Sequence, residues 1–391
     1  MRDAAPRSPR GAGAQRPGAS RGPRATVPAQ RFAGARARMS LRQSSPGRLE
    51  PWRDWAVLLV WNHAVLVAAT LAHPSLPWLL VFALPLGAGL AIATLTVLHD
   101  AGHRRLARSA WPNAFAVHTC DPVGLWVDHW TLKHRVHHKL TQVYPLDDAT
   151  RASGMVRLHP SAARWGVHRY QHFYAWFLYG LAWAGELRSQ VTFLRKGELA
   201  GEESPRLARR IGTFALEKAV CLLVLAPYFW FLGFAHVVVL MLAAMTVASV
   251  IAAVLTVVGH INIGLEPPAD APRGKEWSEH LVRTTASFST ESVAVRWLTG
   301  GLTHHLAHHL RPVAPRFELP ALHDTTVTAI AERAGLPVVV YPTLRSAVVN
   351  HYRRLRELGQ PGAIETPAER EQRLLAAAAR TPAASGRGPA A

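Results

Sequence analysis

The chain has 391 residues, and 44 Lys plus Arg against 25 Asp plus Glu give it a formal net charge of +19. Hydrophobic residues make up 49% and charged residues only 18%, below the roughly 25% charged usual in soluble domains, so the chain as a whole is not disordered. Two Cys exclude a disulfide scaffold and a multi-cysteine zinc or iron–sulfur module, and the unusual counts are 21 His and 13 Trp.

Residues 1–53 read as a disordered basic tail rich in Arg, Pro, Gly and Ala. It has no apolar run of the kind a secretory signal needs, and Met39 is an alternative start. A basic tail of this kind suits an anionic lipid surface better than nucleic acid. Four apolar stretches then predict membrane spans at about 55–72, 76–98, 219–234 and 237–258. The second, Leu76–Leu98, carries no charge and as a helix would be ~34 Å long, enough to cross hydrocarbon. The breaks within each pair are very short (73–75 and 235–236), so the spans form two hairpins, and neither break holds Lys or Arg. The tail, the segment 99–214 and the residues after 259 hold many. The positive-inside rule therefore puts both termini and the middle segment in the cytoplasm. Trp111–Trp130 and Tyr170–Trp183 are apolar but interrupted by polar residues, and read as interfacial helices. Residues 360–391 read as a second disordered tail with one weak helix near 368–379. The expected fold is an all-α integral membrane protein: four spans in two hairpins, under a cytoplasmic helical cap within residues 54–359.

Histidine is costly and rare at membrane depth, so its placement is informative. His99 and His103 stand at i, i+4 directly after the second span, and share one helical face. His134, His137 and His138 repeat the i, i+3, i+4 spacing, as do His305, His308 and His309. His260 ends the fourth span. All nine fall on the cytoplasmic side of the expected topology. Neutral imidazole is a common metal ligand, and nine exceed what one tetrahedral zinc takes. Two metals with four or five ligands each would use them, and histidine-rich sites with open positions suit iron that binds O2. His304 adds an adjacent ring, but matching the spacing of the 134–138 group selects His305.

These groups resemble the three histidine boxes of the membrane fatty acid desaturases, a family of non-haem di-iron enzymes. His99-Asp-Ala-Gly-His103 is similar to the first box and Lys133-His134-Arg-Val-His137-His138 to the second. Thr299-Gly-Gly-Leu-Thr-His-His305-Leu-Ala-His308-His309-Leu310 is similar to the third, in its front-end and acyl-lipid form. Glu276-Trp277 through His280, Arg283-Thr284-Thr285 and Phe288 resemble the approach to that box, and Tyr341 to Gly359 the family's C-terminal helix. Two features depart from the front-end pattern: His305 stands where Gln is usual and Ala307 where Glu is usual. A cytochrome b5 domain is also missing, so the resemblance implies a separate electron donor such as ferredoxin with its reductase. It further implies an O2-dependent oxidoreductase in a bacterial-type cytoplasmic membrane, placing a double bond in a lipid-, CoA- or carrier-linked acyl chain. The rival is a hydroxylase or ketolase, because the same oxidant can insert oxygen. A metal transporter would need ligands at the bilayer midplane, whereas these cluster at one side.

Ligand imidazoles need an acceptor on the second ring nitrogen. Asp100, Asp121, Asp128, Asp147, Asp148, Glu279 and Glu291 are candidates, with Asp100 foremost because it sits between two expected ligands. Asn262 fits a helix-end cap better than a water ligand. His280 resembles a family position, His129 and His172 suit interfacial packing, and His63, His73 and His236 belong to the spans or their outer turns. No nucleophile motif involves Cys120 or Cys221. Arg104, Arg105, Lys133, Arg135 and Lys139 flank the boxes, where they either meet phosphate groups or only set topology.

Overall fold

In the computed structural model, residues 50–361 are described except 108, 121–124, 152–153, 200–201, 204 and 268–275. The two tails, Met39 and Asp121 fall outside the described residues. Four helices are long and apolar enough to cross a membrane: Pro51–Ala72, Leu76–Gly102, Leu207–Phe231 and Phe234–Val257. Their outward faces are apolar too, with Leu71, Leu84, Leu223 and Trp230 exposed. A helix that is hydrophobic all round belongs in lipid or a large core.

The second span packs closely on the fourth. A Cβ on Gly87 would come within 2.6 Å of the Ala244 carbonyl, the small-residue contact that lets membrane helices approach without a hydrophobic driving force. Around it Leu66, Leu79, Ala83, Leu86, Leu240 and Ala244 form a buried core. The rings of His73 and His236 lie 5.5 Å apart at the outer turn of the two hairpins, opposite the ends that carry His99 and His260.

The second span is not uniform. Its α-helical part ends at Ala93, a π turn occupies Thr94–Leu98, and a last turn runs His99–Gly102. The third span begins at Leu207, well before the apolar stretch at 219. Its charged first half stays helical because the charges find partners: Glu217 accepts from the Val127 N–H, and Lys218 binds Gln190. The break before the fourth span falls at Gly233, whose φ of +95° suits glycine.

The cap is built from shorter helices. Ala110–Cys120 precedes Val127–Lys139, which carries the second histidine group. Gln171–Gly180 and Ala182–Lys196 lead to the third span. Glu276–Thr284, His305–Leu310 and Leu344–Gly359 complete the cap. A short parallel pairing, Ser287 with Val340 and Phe288 with Tyr341, ties the approach of the third group to the last helix. The last helix is held further by His351, whose ring binds the Ile261 carbonyl at 2.6 Å and the Tyr179 hydroxyl at 2.8 Å.

Candidate metal centre

The nine histidines expected from the sequence gather into two groups. His99, His103, His134, His138 and His308 form one, and His137, His260, His305 and His309 the other; within each, one nitrogen per ring lies within 4.8 Å of the others. His304 turns away, its ring 5.6 Å from that of His323 and its Nδ1 against Thr303.

Three elements bring in eight of the nine rings, and His260 follows directly on the end of the fourth span. The π turn delivers His99 and His103. The Val127–Lys139 helix sends His134 and His138 to the five-membered group and His137 to the other, as i, i+4 and i+3 spacing directs. The last group arrives through Gly300 and Gly301, with φ of +62° and +92°. A Cβ on Gly300 would stand 2.2 Å from the Leu95 carbonyl in the π turn, so the loop before His305 rests directly on the second span.

Within the five-histidine group, Nε2 atoms lie 2.9 Å (His103 and His134), 3.1 Å (His134 and His138), 3.0 Å (His99 and His308) and 3.2 Å (His138 and His308) apart. The Nε2 of a neutral imidazole has either one proton or one lone pair, so His134, His138 and His308, whose Nε2 atoms each face two neighbours, cannot make good hydrogen bonds to both. Ligands at ~2.1 Å from one metal at right angles would be ~3.0 Å apart. The observed spacing fits that donor set.

In the four-histidine group the tautomers are fixed from outside. The His137 Nδ1–H donates to Asp147, 3.1 Å from either oxygen, and the His260 Nδ1–H donates to the Thr284 carbonyl at 3.1 Å. In neutral rings so held both Nε2 atoms carry lone pairs, and they face each other at 3.1 Å. Two lone pairs at that distance repel, and a cation between them turns the contact into coordination. Thr141 extends the arrangement: its hydroxyl donates to the His137 carbonyl at 2.7 Å and accepts from His309 Nδ1 at 3.3 Å.

Burial keeps six of the clustered rings uncharged. Desolvation, followed by repulsion among neighbouring imidazoles, lowers His134, His138, His305, His308 and His309 well below the usual range, and lowers His260 to about 3. Their lone pairs are thus available at neutral pH.

Among the described acids proposed as ring acceptors, Asp147 is the one bonded to a clustered histidine; it also accepts from the backbone N–H of Gln142 and Ala149. Asp100 lies 3.9 Å from His99 Nδ1 and pairs instead with Arg105 at 2.8 Å. Asp148 binds Lys133, as does Glu186, each at 2.8 Å. Glu279 and Glu291 are exposed, and Asp128 lies 4.0 Å from Arg209. Of the flanking cations, Arg105 and Lys133 are engaged in these pairs, while Arg104, Arg135 and Lys139 are exposed. Asn262 caps a helix end, bonding the Val258 and Ala347 carbonyls. His280 donates to the Thr141 carbonyl at 2.7 Å, His129 binds Ser189 and Glu186, and His63 meets the Tyr228 hydroxyl at 2.8 Å within the spans.

Sequence reasoning missed Arg316, which bridges Asp54 on the first span and Asp100. Asp54 also accepts from Trp297, just ahead of the third group. Thr141 was missed as well, although it stands four residues after His137 on the same face.

The fatty acid desaturase family matches residues 75–342. Curated relatives include the sn-1 linoleoyl-lipid 6-desaturase of Synechocystis sp., 28% identical over 78% of this chain and 87% of its own length. The sn-1 linoleoyl-lipid 6-desaturase of Arthrospira platensis is 25% identical, covering 78% and 84%. The acyl-lipid omega-13 desaturase of Chlamydomonas reinhardtii is 25% identical, covering 77% of this chain and 63% of its own length.

Proposed function

This chain belongs to the fatty acid desaturase family, and from that premise we propose that it desaturates acyl chains esterified to membrane lipid with two irons held by nine histidines. The ligand set is His99, His103, His134, His138 and His308 at one site and His137, His260, His305 and His309 at the other. The observation that carries the reading is the facing pair of His137 and His260 lone pairs, 3.1 Å apart with both outer nitrogens committed. The lipid-linked substrate rests on the names of the relatives, all acyl-lipid desaturases.

When bound and reduced, the iron pair supplies, with O2, an oxidant strong enough to remove hydrogen from an unactivated C–H bond. The chain's own residues do the rest. Burial of His99, His138, His260, His305, His308 and His309 excludes bulk water from the reacting region. Asp147, Thr284 and Thr141 orient three rings of the second site. The exposed Arg104 and Arg135 beside the boxes suit anionic groups at a lipid surface. The clusters stand at the ends of the spans that the positive-inside rule places in the cytoplasm, where a separate donor such as ferredoxin and its reductase delivers electrons.

The test is a mass-spectrometric lipid profile of cells expressing the chain with a ferredoxin and its reductase, against His138→Ala. A new double bond in intact lipids from the wild type alone is expected. A new hydroxyl or keto group instead overturns desaturation. Turnover of acyl-CoA but not of lipid vesicles by the purified protein overturns the lipid-linked substrate.

A further inference from the structure

The two histidine groups differ in what stands behind their rings. In the four-histidine group, three rings have an acceptor at Nδ1: the Asp147 carboxylate for His137, the Thr284 carbonyl for His260 and the Thr141 hydroxyl for His309. Each leaves Nε2 free to bind a metal. The strongest of these acceptors is itself rigid. Asp147 is fully buried and is fixed by two backbone N–H groups, Gln142 at 2.8 Å and Ala149 at 3.0 Å.

The five-histidine group is less prepared. Among the described residues, His99 Nδ1 and His138 Nδ1 are buried with no hydrogen-bond partner, as is His305 Nδ1 alone in the four-histidine group. His308 Nδ1 faces the Arg105 guanidinium at 3.3 Å. A guanidinium carries donors and no acceptor. It therefore favours the tautomer with the proton on Nε2, which is opposite to the ligand form. Arg105 cannot swing aside freely, because Asp100 holds it at 2.8 Å and it donates to the Pro312 carbonyl at 3.1 Å. The ring of His308 must change tautomer against this contact when it binds a metal.

We propose that the two sites hold their metals unequally: the four-histidine site, prepared by Asp147, binds tightly, and the five-histidine site, opposed by Arg105, exchanges its metal. This rests on the nine histidines being metal ligands. Asp147 acts through His137 and is a positioning residue. Partners of this kind change metal affinity by roughly 10–100-fold when removed, and that is the size of the inequality expected from Asp147 alone.

The experiment uses the purified full chain in detergent, loaded anaerobically with Fe(II) and mixed with excess ferrous chelator, with released iron followed by absorbance. Wild type is expected to lose one iron per chain quickly and the second at least tenfold more slowly. His260→Ala should abolish the slow phase and His103→Ala the fast one. Asp147→Asn keeps one oxygen, enough for one of the two backbone contacts, which reach different carboxylate oxygens, and should speed the slow phase at least tenfold while leaving the fast phase unchanged. Thr141→Val, which removes a different acceptor of the same site, should move the slow phase in the same direction. A merely structural loosening would speed both phases. If His103→Ala and His260→Ala each still carry two irons, the ligand assignment has failed. If each variant loses one iron, but wild type releases both at one rate or Asp147→Asn leaves the slow phase in place, the inequality is refuted.

Discussion

Gly300→Ala isolates the contact that seats the third histidine group on the second span. Gly300 has φ +62°, and an added Cβ would lie 2.2 Å from the Leu95 carbonyl oxygen and 3.1 Å from its carbon. Left-handed backbone costs a side-chain-bearing residue ~1–2 kcal/mol. The overlap is with backbone, which cannot rotate away, and overpacking of this kind adds ~1–3 kcal/mol. The expected loss is thus about 2–5 kcal/mol. Two other glycines separate the contributions. Gly264 has φ +86° but its nearest neighbour, a Val339 methyl, is 3.6 Å from the added Cβ, so Gly264→Ala should cost only the backbone part, ~1–2 kcal/mol. Gly185 lies inside the Ala182–Lys196 helix with nothing within 4 Å, and Gly185→Ala should stabilise by ~0.5–1 kcal/mol. Thermal unfolding in detergent, followed by tryptophan fluorescence, should order the melting points Gly185→Ala, wild type, Gly264→Ala, Gly300→Ala. Iron content should fall in Gly300→Ala alone. A Gly300→Ala melting point equal to wild type, or one no lower than Gly264→Ala, would refute the argument.

Other expectations follow from the same structure. Asp54→Asn removes one of the two carboxylates that buried Arg316 bridges, leaving Asp100, and should cost ~1–3 kcal/mol, whereas Arg53→Ala, at an exposed side chain, should change the melting point by less than the assay error. Glu217 accepts from the Val127 N–H at the start of the second-box helix, at 2.9 and 3.0 Å; Glu217→Ala should cost ~1–2 kcal/mol, as loss of a helix cap does, and equal melting points would count against that anchoring. Metal-free protein should lose stability as pH falls. His134, His138, His305, His308 and His309 are lowered by burial below their unfolded value of 6.5. Their contribution is complete above about pH 6.5, and each ring removes ~1.4 kcal/mol for every pH unit below it until its folded value is reached. A melting point that holds steady between pH 7.5 and 5.5 would contradict this.

Much of the architecture was legible because its signals are local. Leu76–Leu98 is uncharged and long enough to span, and the i, i+3, i+4 spacing at 134–138 fixes which rings share a face whatever the rest of the fold does. His305 was separable from His304 for the same reason. What could not be read depends on pairs distant in sequence. Asp100 looked like the natural acceptor for His99 because it is adjacent, yet Arg105 and Arg316 claim its oxygens. Asp147 was one carboxylate among seven until the fold set it behind His137. The start of the third span was hidden by charges at 209, 210, 217 and 218 that hydropathy penalises; the partners of Glu217 and Lys218 come from elements ninety and twenty-eight residues away.

The π turn at Thr94–Leu98 has a consequence for the rotational phase of the second span. A π turn adds a residue, which sets the helix above it back by ~100° relative to an unbroken α-helix. Leu79, Ala83, Leu86 and Leu90 therefore face the fourth span, while the same continuous helix, turned by this fixed offset, brings His99 and His103 onto the cluster. Deleting a single residue from 94–98 would restore a continuous α-helix, carry both rings a quarter-turn or more off the cluster, and leave the length of the span almost unchanged.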